Sequence, residues 1–513
     1  MVRMFRPVKY SLRDLLGSAY LQGVLAANTA LGYLSEGEAQ AAADEKVEFY
    51  SAEEQARNDK WLDRVGETLV PPLADTPDGA GTTAYQKATN KKAAPLTGFG
   101  NYRIGEDGRL YLLGKSEHYH ASLGHRFSGY RLIDHARKLG ILNATHNNTR
   151  GYITRLMETR LIQAVNGLRP DQEKETQAVL ASSKPKVLNR VINLETGSLA
   201  VEAGVKMMLA RFYRLDGTFE KPKYSGKTPV FLVMGDQNGG REANYHGTTV
   251  LTQTFRDLWP EMRDAAQAAG LYEVVPVAIN DPSDFAEKLR RYNTGNYKTA
   301  GFLHEIILMN YGGIRLEPEY LRQAYALCAA SDTPTLVDEI QSCMWYPGMF
   351  LFRLYGLQPD FAVIGKGFPG GEYPASKIIT TFEMDTLNQF GALVTNGQEE
   401  LASLSYLITM AFMEANGDRV AELGARFESG LKQLQKERPD VLCRAEGLGH
   451  LMALHFRTVE QAADFAGKLN RACIDASAQI YKPHCPPAVL LKPPVIATEA
   501  TLDYLINTIR KLL

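Results

Sequence analysis

The sequence has 513 residues, 45% of them hydrophobic and 22% charged, which is the composition of an ordinary globular protein of two to four domains. Its 57 Lys and Arg residues balance 58 Asp and Glu residues, so the net charge of −1 argues against a generally basic nucleic-acid-binding surface. No run approaches the roughly 18 apolar residues of a membrane span, and the first residues lack a secretory signal pattern. The five cysteines are scattered, without a CxxC or zinc spacing, so we expect a large cytoplasmic enzyme without disulfides or bound metal.

The N-terminal third of the chain alternates helical patterns with breakers. Apolar residues recur at helical spacing in residues 1–70 and predict two or three helices there. Prolines and glycines predict a linker or long loop over residues 71–95. Residues 102–113 have the pattern of a β-hairpin, and residues 152–166 that of a further helix.

From about residue 188 short apolar strands alternate with helical stretches. The helical stretches cover residues 198–213, 284–292 and 318–330. Seven strands are predicted, at residues 191–195, 230–235, 273–280, 301–308, 335–340, 361–365 and 377–381. This alternation predicts an α/β fold with a mostly parallel seven-stranded sheet, whose ligands bind beyond the carboxyl ends of the strands.

The last 115 residues form a different pattern, with more helix and fewer strands. Helices are predicted at residues 399–415, 418–437, 458–475 and 499–512, and a strand region at 446–456. We therefore expect a smaller α+β domain at 399–513 and the large domain at 151–398. Residues 1–95 are then a helical extension with its linker, and residues 96–150 form the N-terminal part of the small domain.

The most informative stretch runs from residue 335 to residue 377. Asp338 lies near the end of one predicted strand, and Lys366 follows the next strand at the start of a glycine-rich turn. A carboxylate that faces a cationic ring nitrogen, with a lysine able to form an imine, is what pyridoxal phosphate requires. The alternative is a core strand that ends in Asp-Glu, followed by a surface lysine in a turn.

Six segments in one order carry a resemblance to a known family. They read INLETGSLAVEAGVKMMLAR, NYHGTT, HEIILMNYGG, DEIQS followed by PDFAVIGKGFPGGEYP, TNGQEELA, and RAEGLGHLMALHF. In order and spacing they resemble the class III, or omega-type, aminotransferases among the fold-type I pyridoxal-phosphate enzymes, over roughly residues 96–513. The resemblance implies the aspartate-aminotransferase-like fold, with the N-terminal helices as an addition. It also implies pyridoxal 5'-phosphate as cofactor.

The resemblance assigns roles around the cofactor ring. Lys366 would hold the cofactor as an imine and carry the proton, with Lys377 as its nearest rival. Asp338 would keep the pyridine nitrogen protonated, and Gln341 would hydrogen-bond the phenolic oxygen. Tyr245 would stack on the ring, the alternative being a packed core tyrosine.

Further cofactor contacts follow from the same resemblance. The resemblance also implies that His246, next to Tyr245 in the sequence, binds the cofactor. Gly197 and Ser198 precede a helix and suit a phosphate. Thr395 would reach the phosphate of the neighbouring subunit's cofactor, which makes a homodimer part of the active site.

Several positions depart from the family pattern. Thr248 stands where the family has an arginine that grips a substrate carboxylate, and Leu490 stands where dual-substrate members have another arginine. Asn310 replaces the glutamate that pairs with that second arginine. Lys492 could bind a carboxylate as a point charge or be merely a solvated lysine, and His125 or Arg126 could form a wall of the site.

We therefore expect a homodimeric aminotransferase that moves an amino group from an amine or amino acid to a keto acid or aldehyde by a ping-pong route. Because both carboxylate-binding arginines are absent, the donor is not assigned as glutamate. An aminomutase, racemase, lyase or decarboxylase on the same fold is the first alternative. A protein that acts mainly as a scaffold through residues 1–70 is the second.

Overall fold

The structure, a computed structural model, describes residues 3–480, 482 and 484–513. Its N-terminal elements are β1 (Lys9–Tyr10), α1 (Leu12–Leu16), α2 (Ser18–Leu31), α3 (Glu36–Asp44), β2 (Val47–Glu48), α4 (Ala52–Lys60) and α5 (Thr83–Ala88). Residues 1–70 thus hold four helices rather than two or three. Three of these helices begin at serines (Ser11, Ser35, Ser51) whose hydroxyls accept the first free backbone N–H groups in capping boxes. The prediction of a linker over 71–95 is wrong at α5, because the 13 residues between Gly81 and Pro95 contain neither glycine nor proline and can hold a short helix.

The N-terminal helices pack onto the rest of the chain instead of standing apart. The Phe5 ring lies 5.8 Å from the Phe412 ring, centroid to centroid. The Arg6 backbone N–H donates to the Asn416 side-chain oxygen over 2.7 Å. The Asn28 amide donates to the Leu139 carbonyl over 2.7 Å. The buried apolar residues of these helices and those of the body form one continuous core.

The next elements surround the later site. They are β3 (Pro95–Phe99), β4 (Tyr102–Gly105), β5 (Leu110–Leu112), α6 (Ser116–Tyr119), α7 (Arg131–Lys138), α8 (Tyr152–Asn166) and α9 (Glu173–Leu180). Strands β4 and β5 form the predicted hairpin and join β3 in an antiparallel sheet. Helix α6 is a single left-handed turn, with φ between 47° and 75° at all four of its residues.

The large sheet and its helices follow in alternation. The elements are β6 (Leu188–Leu194), α10 (Gly197–Leu209), β7 (Thr228–Met234), α11 (Val250–Thr254), α12 (Pro260–Ala268), β8 (Glu273–Val277), α13 (Pro282–Arg291), β9 (Tyr297–His304), β10 (Ile307–Leu308), β11 (Ile314–Arg315), α14 (Pro318–Ala330), β12 (Thr335–Asp338), α15 (Leu351–Leu354), β13 (Phe361–Ile364), β14 (Ser376–Thr381) and α16 (Gln389–Ala392). The strand predicted at 301–308 ends at His304, and β10 pairs with β11 outside the sheet.

The seven-stranded sheet has the order β6-β14-β13-β12-β9-β7-β8. All neighbouring pairs are parallel except those of β14, which is antiparallel to both β13 and β6. The predicted mostly parallel sheet is therefore confirmed. Its strands are buried on both faces, as expected for a sheet covered by crossover helices.

The chain ends with α17 (Glu400–Glu437), β15 (Leu442–Leu448), β16 (Leu451–Phe456), α18 (Val459–Arg471), β17 (Ser477–Gln479), β18 (Ala488–Leu491) and α19 (Glu499–Leu512). The predicted break between 415 and 418 is wrong, because α17 runs through it. The Asn416 side chain bonds the Phe412 carbonyl of its own helix, and Gly417 leaves room for Pro347. Packing thus overrides the local preference of Asn-Gly-Asp for a turn. None of the helices in the described ranges combines the length and apolar character needed to cross a membrane.

Candidate active site

A cavity of about 270 Å³ opens at the carboxyl edge of the large sheet. The ends of β6, β12 and β13 and the start of the antiparallel β14 meet there, which is where parallel sheets place their ligands. Six residues predicted from the sequence line this one cavity: Gly197, Ser198, Tyr245, Asp338, Gln341 and Lys366. Residues up to 169 positions apart are thus brought together by the topology of the sheet.

Two predicted residues do not line the cavity. His246 is buried directly behind Asp338, with its Nδ1 atom 3.2 Å from the Asp338 Oδ2 atom. Thr395 is exposed on the surface and takes no part in the cavity of its own chain. Its predicted role in a neighbouring subunit's site stays a prediction.

The Asp338 carboxylate is held by its neighbours in one orientation. It is 4% exposed at the end of β12, its Oδ1 accepts the Ile340 backbone N–H over 3.1 Å, and its Oδ2 faces His246. The far ring nitrogen of His246, Nε2, is buried and has no hydrogen-bond partner in the described part of the protein. The pair forms a rigid anionic end to the cavity.

Lys366 lies in a strained turn two residues beyond β13. Its φ of +37° is unusual for a residue with a side chain, and such strain is common at functional sites. Its ammonium nitrogen lies 5.2 Å from the centre of the Tyr119 ring. Burial lowers the pKa of this amine, although the nearby Glu305 and Asp338 carboxylates act in the opposite direction. A lysine with a lowered pKa is a better nucleophile at neutral pH.

Two other buried lysines are separate from the cavity. Lys377 points to the opposite side of β14, where its Nζ lies 5.4 Å from the Tyr406 ring and burial lowers its pKa to about 7. Lys492 is neither solvated nor a carboxylate ligand in the cavity. It is fully buried, donates to the Gln341 carbonyl, and has its Nζ 3.5 Å from the Trp345 ring centre.

The buried carboxylate of Glu305 had no predicted role. Its Oε1 accepts the Gln341 side-chain N–H over 2.8 Å, while Oε2 is buried without a hydrogen-bond partner in the described part of the chain. Burial, together with the Asp338 charge, raises the pKa of Glu305 well above its usual range. The signal that could have found it is its position directly after β9, at the same edge as Asp338 and Lys366.

The start of α10 forms the other end of the cavity. Thr196 caps this 13-residue helix, and Gly197 and Ser198 form its first turn. A Cβ atom on Gly197 would lie 2.2 Å from the Ile340 Cδ1 atom, so a larger residue there would push the Ile340 side chain aside. The Ser198 hydroxyl accepts the Thr248 backbone N–H over 3.0 Å. Free N–H groups at a helix start favour an anion.

The remaining wall differs from the sequence-based expectation. His120, Tyr373 and Glu195 also line the cavity, although the sequence analysis assigned them no role in this site. Burial lowers the pKa of His120, and the Lys366 charge adds to this effect. His125 and Arg126 line a different pocket, so the expectation that they form a wall of this site is wrong. Their segment turns away beyond Ser122, whose hydroxyl donates to the Gly367 carbonyl.

A comparison with protein-family models identifies the family. The model described as aminotransferase class III matches residues 125–513. This match covers about three quarters of the chain, so the protein belongs to the class III aminotransferase family, and its activity class is that of a pyridoxal-phosphate-dependent aminotransferase.

Solved structures share the fold. The ornithine aminotransferase of Toxoplasma gondii is 20% identical, with a TM-score of 0.64 over 84% of this chain and 93% of that one. The acetylornithine aminotransferase of Elizabethkingia anophelis is 21% identical, with a TM-score of 0.61 over 83% and 94%. A transaminase from the marine bacterium Virgibacillus is 16% identical, with a TM-score of 0.65 over 86% and 96%. At these identities the likeness shows the fold, which is that of fold-type I.

Proposed function

We propose that the cavity at the carboxyl edge of the large sheet binds pyridoxal 5'-phosphate and transfers an amino group between an amine or amino acid and a keto acid or aldehyde. One observation carries the proposal: the Asp338 carboxylate, the Lys366 amine and the open start of α10 converge on a single cavity. When bound, this cofactor supplies an electron sink for carbanion chemistry.

The shape of the cavity fits the phosphate at one end. Gly197 and Ser198 would bind it with the N–H groups of the first helical turn. Gly247 has a φ of +115°, and a Cβ atom there would lie 2.7 Å from the Ser198 Cα. Gly197 and Ser198, which we call the phosphate cup, are therefore fixed in position by the close packing of Gly247 on Ser198.

The other end fits a cationic heterocycle. Asp338 would hold a proton on the ring nitrogen, and His246 keeps the carboxylate aligned. Tyr245 would lie against the ring face. Its position is supported by the Arg256 guanidinium, 4.8 Å from the Tyr245 ring centre. The Gln341 side-chain amide has two N–H donors. One donates to Glu305, and the other would donate to the phenolic oxygen of the cofactor.

Lys366 would bind the cofactor covalently and later move the proton at the reacting carbon. The burial that lowers its pKa favours the neutral amine that both tasks need. His120 and Tyr373 lie on the same cavity wall and would contact the substrate rather than the cofactor.

A mutase or racemase reaction on the same cofactor is the second candidate. It is favoured by the absence of arginine from the cavity wall among the described residues, since Leu490 is buried in β18 and Thr248 lies at the Ser198 edge. A site without a carboxylate-gripping arginine has no evident means of accommodating glutamate as a shared donor.

One experiment separates the two reactions. Amines and amino acids are added to the cofactor-loaded enzyme without keto acid, and the cofactor absorbance is followed. A transaminase converts its cofactor once and then stops until a keto acid or aldehyde is supplied. Turnover without such an acceptor would favour the mutase or racemase, and no response to any amine would contradict both.

We further propose a homodimer in the cytoplasm. Thr395 is exposed outside its own cavity, and Phe390, five residues earlier, is 89% exposed, as a segment meant for a neighbouring subunit would be. All five cysteines are free, which is consistent with a reducing compartment.

A further inference from the structure

A second cavity, of about 240 Å³, lies where helix α4 meets the segment that follows β3 and the loop after α6. We call it the seam pocket, and it is lined by Tyr50, Arg57, Phe99, His125 and Arg126 together with neighbouring residues. One side belongs to the N-terminal helices and the other to the body of the protein. It is separate from the active-site cavity, with which it shares no lining residue.

The charged side chains that line the seam pocket are mostly positive. Arg126 has no carboxylate within ion-pair distance in the described part of the chain, and Arg57 has only an exposed contact of 3.7 Å with Glu53. The one acid on the wall, Glu54, is already engaged, since one oxygen accepts the Ser128 hydroxyl and the other accepts the Ser51 backbone N–H. Arg57 and Arg126, both exposed, outnumber the single Glu54 carboxylate on the wall, so the lining carries a net positive charge.

The backbone around the pocket is fixed in a specific geometry. His125 exchanges two hydrogen bonds with Gly100, of 2.8 and 2.9 Å. Arg126 follows in the left-handed region with a φ of +53°, which is uncommon for a residue with a side chain. On the opposite wall, the Tyr50 hydroxyl accepts from Asn58, and both residues are buried. Strain of this kind persists only where the surroundings hold it, as at ligand clamps.

We propose that the seam pocket binds a small anion, a phosphate or a carboxylate, between the guanidinium groups of Arg57 and Arg126. Arginine presents paired N–H groups that match both anions. The volume of about 240 Å³ has room for an anion of this size. Because Arg57 belongs to the N-terminal helices and Arg126 to the body, the bound anion joins the two parts of the chain. This inference does not depend on the cofactor assignment.

The test is a titration of thermal unfolding on the full-length protein, with saturating pyridoxal phosphate present throughout. Sodium phosphate and sodium acetate are titrated separately, each against sodium chloride at equal ionic strength. A ligand that binds only the folded state raises the unfolding midpoint in a saturable way. We expect at least one of the two anions to do so, and the two titrations distinguish phosphate from carboxylate.

Variants locate the binding. Arg57→Gln and Arg126→Asn should each weaken the apparent affinity by about 10-fold or more, the loss of one charge-assisted contact. Asparagine is chosen at 126 because it accepts the left-handed backbone. Arg214→Gln removes an exposed arginine elsewhere, and Ser198→Ala reports on phosphate at α10. The Arg214→Gln control should respond like the unmodified protein.

Two results would overturn the inference. One is a midpoint that rises no more with phosphate or acetate than with chloride. The other is an anion response that Arg57→Gln and Arg126→Asn leave unchanged, or that Ser198→Ala abolishes. Arg126→Lys adds a graded check, since it keeps the charge but loses the paired donors and should bind with intermediate affinity.

Discussion

Lys377→Met is expected to stabilise the protein at neutral pH. Lys377 is 1% exposed within β14, and burial lowers its pKa from 10.5 to about 7 while Glu158 and Glu399 act in the opposite direction. A difference of about 3.5 in pKa, at roughly 1.4 kcal/mol for each pKa unit, corresponds to a cost on the order of 4 kcal/mol at pH 7. Methionine keeps the unbranched stem against the Tyr406 ring and removes this cost.

The pH dependence of this effect has a defined sign. Between about pH 7 and pH 10.5 the unfolded chain binds a proton at Lys377 that the folded protein does not bind. The stability of the unmodified protein therefore rises with pH across this window, relative to the variant. The advantage of Lys377→Met should be largest at pH 7 and below, and it should shrink steadily towards pH 10.

The assay is urea unfolding of both proteins at pH 7 and pH 10, followed by midpoint because a chain of this size need not unfold in two states. Lys184→Met, at an exposed lysine, serves as the control and should change neither midpoint. A Lys377→Met variant that is less stable at pH 7, or whose midpoint difference does not vary with pH, would refute the reasoning.

Three further predictions concern the proposed active site. Gly247→Ala should weaken pyridoxal-phosphate affinity by about 10-fold or more in an equilibrium titration, because a Cβ atom 2.7 Å from the Ser198 Cα must displace the phosphate cup; an unchanged affinity would argue against that cup. Asp338→Asn should lower turnover by roughly 10²–10⁴-fold and alter the absorbance of bound cofactor, because the ring nitrogen loses its anionic partner; near-normal turnover would remove Asp338 from its proposed role. Thr395→Ala should lower activity at limiting cofactor and Lys366→Ala should abolish it, and mixing the two kinds of subunit should restore activity, because each hybrid dimer contains one complete site; if no activity returns while hybrids form, Thr395 does not act across subunits.

Much of the fold could be predicted because hydrophobic runs of strand length are a strong local signal. The seven strands of the large sheet and helices such as α8 and α14 lie close to their predicted positions. The exceptions are segments where distant contacts decide. Helix α17 continues through Asn416 and Gly417, where the Asn416 side chain accepts the Arg6 backbone N–H from the other end of the chain, a contact that local sequence cannot reveal.

The residues of the candidate site also fall into those that the sequence could predict and those that it could not. Asp338 and Lys366 were predictable because each follows an apolar strand, and strand ends share one edge of the sheet. Glu305 was missed because a Glu after a strand has no special meaning until Gln341 is seen to bind it. Lys492 was expected at the surface or in the site, yet Trp345 and the Gln341 carbonyl enclose it, which depends on the packing of remote segments.

The central claim is that Lys366 is the covalent attachment point of the cofactor. The direct test is incubation with pyridoxal phosphate, reduction with borohydride and peptide mass mapping of the modified lysine. We predict a single reduced adduct on Lys366, and none on Lys377 or Lys492, because Lys366 is the one lysine among the described residues that lines the cavity. The adduct should disappear in Lys366→Ala and persist in Lys377→Met. An adduct on any other lysine, or none at all, would contradict the proposed site.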